Sequence, residues 1–151
     1  MSYRLFGGLW LALPSWVRRF VLRRVQTTFT VSAAAVVVNN ESKVLVLHHV
    51  LRPITGWGLP GGFIDAGEQP HQAITRELKE ETGIDITDVR LLHLKTLGHH
   101  VEILFAARAN EAGEILSSEI DQLGWYAFED IPERLPADQR RTVERVLKGE
   151  I

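Results

Sequence analysis

Three glutamates, Glu77, Glu80 and Glu81, fall within five positions of one another, shortly after the stretch WGLPGG, whose glycines and proline break regular structure. The residues around them carry the marks of a helix over 69–82. Pro70 suits the first turn, and Gly83 suits the left-handed position just past the end. On a helical wheel Ile74 and Leu78 form a narrow apolar stripe, while His71, Thr75, Lys79 and Thr82 are expected on the solvent side. The three glutamates share a third face with Ala73. At spacings of three and four residues their carboxylates are neighbours, and each like-charge pair costs about 0.2–0.5 kcal/mol. A chain that keeps such a face either spreads it in solvent, with Arg76 and Lys79 softening the repulsion, or gathers it around a cation.

The preceding loop favours the cation. LPGGFIDAGE is glycine-rich and ends in Glu68, so it can set backbone carbonyls and a further carboxylate beside the helix. Mg2+ and Mn2+ take oxygen ligands: a few carboxylates completed by water and substrate phosphate. Zinc would call for cysteine or paired histidine, and the chain has no cysteine at all. That lack also excludes disulfides and thiol nucleophiles, and it fits a reducing, cytoplasmic location.

The remaining pattern is that of one domain. A chain of 151 residues with 45% apolar content can bury a single sizeable core. FTVSAAAVVV (29–38) and KVLVLHHV (43–50) are β-rich runs joined by NNES, which predicts a hairpin. DVRLLHLKTL and HHVEILFAARA predict two further strands broken near Gly98. LGWYAF predicts a short one, and DQRRTVERVLK a solvated amphipathic helix. Strands around a mid-chain helix, with another helix at the end, suggest a layered mixed α/β fold. A net charge of −2 gives no global reason for binding nucleic acid or an anionic membrane.

Residues 1–26 form a separate arm, and residues 27–151 the domain. LFGGLWLALPSWVRRFVLRRV is a poor signal peptide, with only Arg4 before the apolar run and no small-x-small cleavage site. Arg18 and Arg19 interrupt it well short of the ~20 apolar residues a span requires. Basic and apolar residues segregate only partly around its wheel. Packing on the domain or on a partner subunit is therefore expected ahead of membrane contact.

Gly62, five residues, Glu68, seven residues, then Arg76-Glu77-Leu78-Lys79-Glu80-Glu81-Thr82-Gly83-Ile84 matches the signature of the Nudix hydrolases, Gx5Ex7REUxEExGU with U apolar, at every fixed position. The resemblance extends over roughly residues 29–130. It implies the Nudix fold, a mixed sheet between helices, here with an N-terminal helical arm. It implies hydrolysis of a nucleoside diphosphate linked to another group with Mg2+ or Mn2+, and a small-molecule nucleotide as partner. Members often dimerise, which keeps a homodimer among the expectations. Carried onto this chain, Glu80 and Glu81 match metal-binding carboxylates, and Glu77 matches a ligand or general base. The Gly61–Gly62 carbonyl region matches a further ligand, while Arg76 and Glu68 match positions that orient helix and loop. A carboxylate from a later loop sometimes serves as base, for which Glu119 is the candidate here and Glu114 the second.

Other residues bear on the substrate. Adjacent strand residues point to opposite faces, so neither His48–His49 nor His99–His100 can chelate one ion; one member of each could line a cleft. Arg52 is either a phosphate clamp or a surface residue. Trp57 and Phe63 either pack or stack on a base. Glu102 faces away from Val101 and Ile103, to solvent or into a cleft. LGHHV (97–101) carries neither the proline that tends to mark ADP-ribose enzymes nor the tyrosine associated with dinucleoside polyphosphates. The extended N-terminus resembles members acting on ADP-ribose or nucleotide sugars. The alternatives are nucleoside triphosphates, oxidised ones included, and a nucleotide-sensing domain without catalysis.

Overall fold

The computed structural model describes residues 11–25, 27–51, 56–110 and 112–151. The chain divides into two compact units, Met1–Thr30 and Val31–Ile151. In the first, helix α1 (Ser15–Val25) opens on Pro14, whose carbonyl accepts from the amides of Val17 and Arg18 at 3.0 and 3.2 Å. Arg24 lies over the Phe20 ring, 5.3 Å from its centroid. Among the described residues, no helix is long and apolar enough to cross a membrane.

The second unit is built on a sheet of strands β1 (Thr30–Val38), β2 (Val44–His49), β3 (Trp57–Gly58), β4 (Gly61–Phe63), β5 (Thr87–Leu97), β6 (His100–Arg108) and β7 (Ile120–Tyr126). Its path runs β3-β2-β1-β6-β5, with β4 pairing β1 and β7 pairing β2. The expected hairpin forms between β1 and β2. Asn39 closes it, its Oδ1 accepting from the amides of Glu41 and Lys43, both at 2.9 Å. β5 and β6 form the second hairpin, turning at Gly98 with φ of 60°. At one end of β1 and β6 the Ser32 hydroxyl meets His100 Nε2 at 2.9 Å; at the other the Ala109 amide donates to the Val38 carbonyl at 3.3 Å. Those two strands therefore run parallel and the sheet is mixed. The last strand starts at Ile120, three residues ahead of the predicted LGWYAF, and Phe128–Asp130 is a 3-10 turn.

Both faces of the sheet are covered, which explains the unbroken apolar runs of β1 and β2. Ala33, Ala35 and Val37 with Leu45 and Leu47 point to one side, under helix α2 (Pro70–Thr82) and its buried Ala73, Ile74 and Leu78. Ala34 and Val36 with Val44 and Val46 point to the other, under helix α3 (Ala137–Leu147) through Val143. The period of two along each strand thus sorts one apolar sequence into two cores.

Helix α2 starts and stops as predicted. The Gln69 amide donates to Gln72 Oε1 at 3.1 Å, and Gly83 closes the helix at φ of 71°. One wheel position is corrected. Thr82 is fully buried instead of solvent-facing, because it stands four residues beyond Leu78 on the same stripe. Its hydroxyl donates to the Leu78 carbonyl at 2.6 Å and accepts from the Ile84 amide at 3.3 Å, so burial leaves no cost in hydrogen bonding.

Candidate active site

A cleft of about 830 Å³ opens at the end of the sheet where β1 and β6 begin and β2 ends. It is lined by Gly61, Gly62, Arg76, Glu77, Glu80, Glu81 and Glu119, so most residues singled out from the sequence meet in one place. Arg52 lies outside the described residues.

The glycine loop is shaped by what approaches it. Strand β4 pairs antiparallel with β1, setting Gly61 opposite Ala34 and Gly62 opposite Ala33. A Cβ on Gly61 would stand 2.3 Å from the Ala33 carbonyl oxygen, and one on Gly62 would stand 2.2 Å from the Glu77 carboxylate. Only glycine lets the Glu77 side chain lie directly against the loop backbone.

Arg76 ties loop to helix. Its Nε and Nη2 donate to the two oxygens of Glu68 at 2.9 and 3.0 Å, a bidentate pair. Nη2 also donates to the Phe63 carbonyl at 3.2 Å, while Nη1 donates to Glu77 at 3.0 Å and to Glu80 at 3.2 Å. One guanidinium therefore offsets much of the like-charge repulsion. Lys79 does not contribute as anticipated: it turns away to the Gly83 carbonyl and Asp85 at 3.1 and 2.6 Å. Glu68 is held further by the Asp65 amide at 3.0 Å, and both contacts keep its carboxyl below the usual range, the Arg76 bond most.

The helix carboxylates differ in environment. Glu80 is exposed, whereas Glu81 is buried, with its Oε1 3.8 Å from His49 Nδ1. Burial pushes the Glu77 carboxyl above the usual range; Arg76 pulls the other way, and the nearby charges of Glu80 and Glu119 push it up again. Glu119 reaches the cleft because β7 pairs with β2, where a bulge sets His49 opposite Ile120 and the Glu119 carbonyl accepts from the Val50 amide at 2.8 Å. Glu114 is elsewhere. Its amide donates to the Thr82 carbonyl at 2.9 Å, at the far end of α2.

Among the described residues, no three carboxylate or imidazole groups stand ready as a closed cation cage. The donors nevertheless suit a hard divalent ion. They are all oxygens, they outnumber the one guanidinium among them, and Glu77 is partly desolvated beside the loop backbone.

Each histidine pair contributes one member to the cleft, His49 and His100. His48 instead pairs with Asp121 and stacks edge-on against Trp57 at 5.1 Å. Trp57, Phe63 and Glu102 line the cleft as well, which places Glu102 on the cleft side; Trp57 also packs against the core under α3 and stands edge-on to Tyr126 at 6.1 Å. Ser32 and Gln139 were not foreseen. Gln139 lies in the helix read as merely solvated, and no local pattern separates it from its polar neighbours.

A family model, described as the NUDIX domain, matches residues 28–146. The NAD-capped RNA hydrolase NudC of Vibrio atlanticus (strain LGP32) is 30% identical over 104 residues, covering 67% of this chain and 39% of that protein. The 8-oxo-dGDP phosphatase NUDT18 of Mus musculus is 33% identical over 109 residues, covering 68% and 34%. The chain thus spans only about two fifths or less of the length of these two relatives. The crystal structure of a MutT NUDIX hydrolase from Burkholderia pseudomallei superposes with a TM-score of 0.68 at 28% identity, covering 78% of this chain and 97% of that one. Fold, glycine loop, acidic helix and family match agree: the chain belongs to the Nudix hydrolase family.

Proposed function

We propose that the protein is a metal-dependent pyrophosphohydrolase that cleaves a nucleoside diphosphate linked to another moiety, of the ADP-ribose or nucleotide-sugar type. The observation that carries this reading is the convergence of Glu77, Glu80, Glu81 and Glu119 on one cleft, with Glu77 laid against Gly62. Glu77, Glu80, Glu81 and the Gly61–Gly62 carbonyl region would hold Mg2+ or Mn2+. Such an ion, when bound, supplies neutralisation of the charge on the phosphoryl oxygens.

The chain's own residues do the rest. Arg76 and Glu68 lock the loop to the helix, so the carboxylates meet the substrate in a fixed arrangement. A carboxylate at the cleft accepts the proton of the attacking water. Glu119, from the later loop, and Glu77 are the two proposed bases, and both line the cleft. Arg52 is the proposed clamp for a phosphate. A cytoplasmic location belongs to this reading and rests on the cysteine-free composition. The catalytic domain is proposed to be residues 27–151.

A panel of ADP-ribose, nucleotide sugars, NADH, diadenosine polyphosphates and nucleoside triphosphates, each with Mg2+ or Mn2+, tests the reading. Metal-dependent release of a nucleoside monophosphate from a diphosphate-linked compound supports it; turnover confined to triphosphates overturns the substrate class. The second reading, a nucleotide or oxidised-nucleotide pyrophosphohydrolase, is favoured by the similarity to the 8-oxo-dGDP phosphatase.

A further inference from the structure

The cleft has a second charged feature, away from the acidic helix. Lys95 on β5 sits between Glu102 of β6, 2.8 Å from its Oε1, and Asp138 in the first turn of α3, 2.6 Å away. The Glu102 side chain is only 16% exposed and lines the cleft. Lys95 is shared between two carboxylates, so its charge is already matched and the trio stays net negative. The Lys95–Asp138 contact also ties the β5–β6 hairpin to α3, holding the Glu102 wall against the helix that carries Gln139. The Leu59 amide donates to Gln139 Oε1 at 3.0 Å, which fixes the side-chain amide. Among the described residues, no hydrogen bond engages Glu102 Oε2 or Gln139 Nε2.

This wall therefore offers a fixed acceptor and a fixed donor in a partly desolvated cleft. A phosphate is repelled there by Glu102. A hydroxyl both donates and accepts, and two adjacent hydroxyls can satisfy a carboxylate oxygen and an amide N–H together. We propose that Glu102 and Gln139 form a subsite that binds the vicinal diol of a ribose ring and excludes phosphate. The proposal rests on the pyrophosphohydrolase reading for its substrate class. It assigns the wall a specificity role, separate from the carboxylates of α2. Two sources share this chemistry: the ribose of the nucleoside, and the sugar beyond the pyrophosphate.

The test uses ADP-ribose, an analogue deoxygenated in the adenosine ribose, and an analogue deoxygenated in the terminal ribose. Each is titrated by calorimetry into the wild-type chain and into Glu102→Gln, and AMP release is followed separately. Glu102→Gln should weaken ADP-ribose binding by roughly 10-fold, because the amide oxygen that replaces the carboxylate accepts a weaker hydrogen bond than a charged group does. One analogue should show a weakening at least as large on the wild type and a smaller one on the variant; which analogue does so names the sugar. Equal binding of all three ligands to the wild type would overturn the proposal, as would a variant that weakens all three by the same factor. Should Glu102→Gln not fold, judged by its thermal midpoint, the wild-type comparison decides alone. Diol-dependent binding without AMP release would sink the hydrolase reading and leave the subsite standing; AMP release with no diol dependence would do the reverse.

Discussion

Two clusters in this domain place one cation among several carboxylates, and they differ in how much negative charge is left over. Around Arg76 stand Glu68, Glu77 and Glu80, with Glu81 and Glu119 lining the same cleft. Around Lys95 stand Glu102 and Asp138. The guanidinium fork is divided among four partners and still leaves a surplus of negative charge. The ammonium is a point charge that two carboxylates nearly satisfy. A surplus with fixed geometry suits a metal and a phosphoryl group, whereas a nearly matched trio suits a neutral, hydrogen-bonding part of the substrate.

The comparison is most sharply broken at the buried carboxylate. Glu81→Gln keeps the shape of the side chain and removes its charge, so hydrolysis should fall on the order of 10³-fold while the far-ultraviolet circular dichroism is unchanged. A fully active variant would end the metal assignment. Gly62→Ala comes next. Its Cβ would stand 2.2 Å from the Glu77 carboxylate, and displacing that group by about an ångström should cost roughly 10²-fold in kcat. A third pair of variants contrasts the two cations. Arg76→Lys loses the bidentate hold on Glu68 and should cost roughly 10-fold in kcat/KM. Lys95→Arg keeps its charge at a point-charge site and should stay within about 2-fold.

The smallest effect is a pH dependence of stability at Glu68. Its carboxyl is held below the usual range, by the Arg76 bond first and the Asp65 amide second. A depressed carboxylate contributes stability that is present above its unfolded value and is lost as pH falls through the folded one. Glu68→Gln should therefore melt below the wild type at neutral pH, and the two melting curves should converge below about pH 4. A gap that persists in acid would place the effect in packing instead of charge.

The segment from Gly62 to Ile84 was legible because its constraints are local. Pro70 and Gly83 bound a helix, Ile74 and Leu78 turn it inward, and the spacing of the glutamates follows from the helix alone. Thr82 was misplaced where a wheel drawn in solvent assigned a polar residue to the polar side. Packing put it on the stripe of Leu78, with its hydroxyl satisfied by backbone. The pairing of β7 with β2, which carries Glu119 to the cleft, could be proposed from the sequence only as a loop that comes near.

The sequence by itself determined the helix, its acidic face, the glycine loop against it and the family, because each depends on residues a few positions apart. Only the tertiary structure decided that Glu81 is buried beside His49, that Arg76 joins Glu68 to Glu77 and Glu80, and that Glu102 and Gln139 share a cleft. Glu102 and Gln139 lie 37 positions apart on a strand and a helix. Nothing local in their neighbourhoods records that a folded sheet brings them to the same wall.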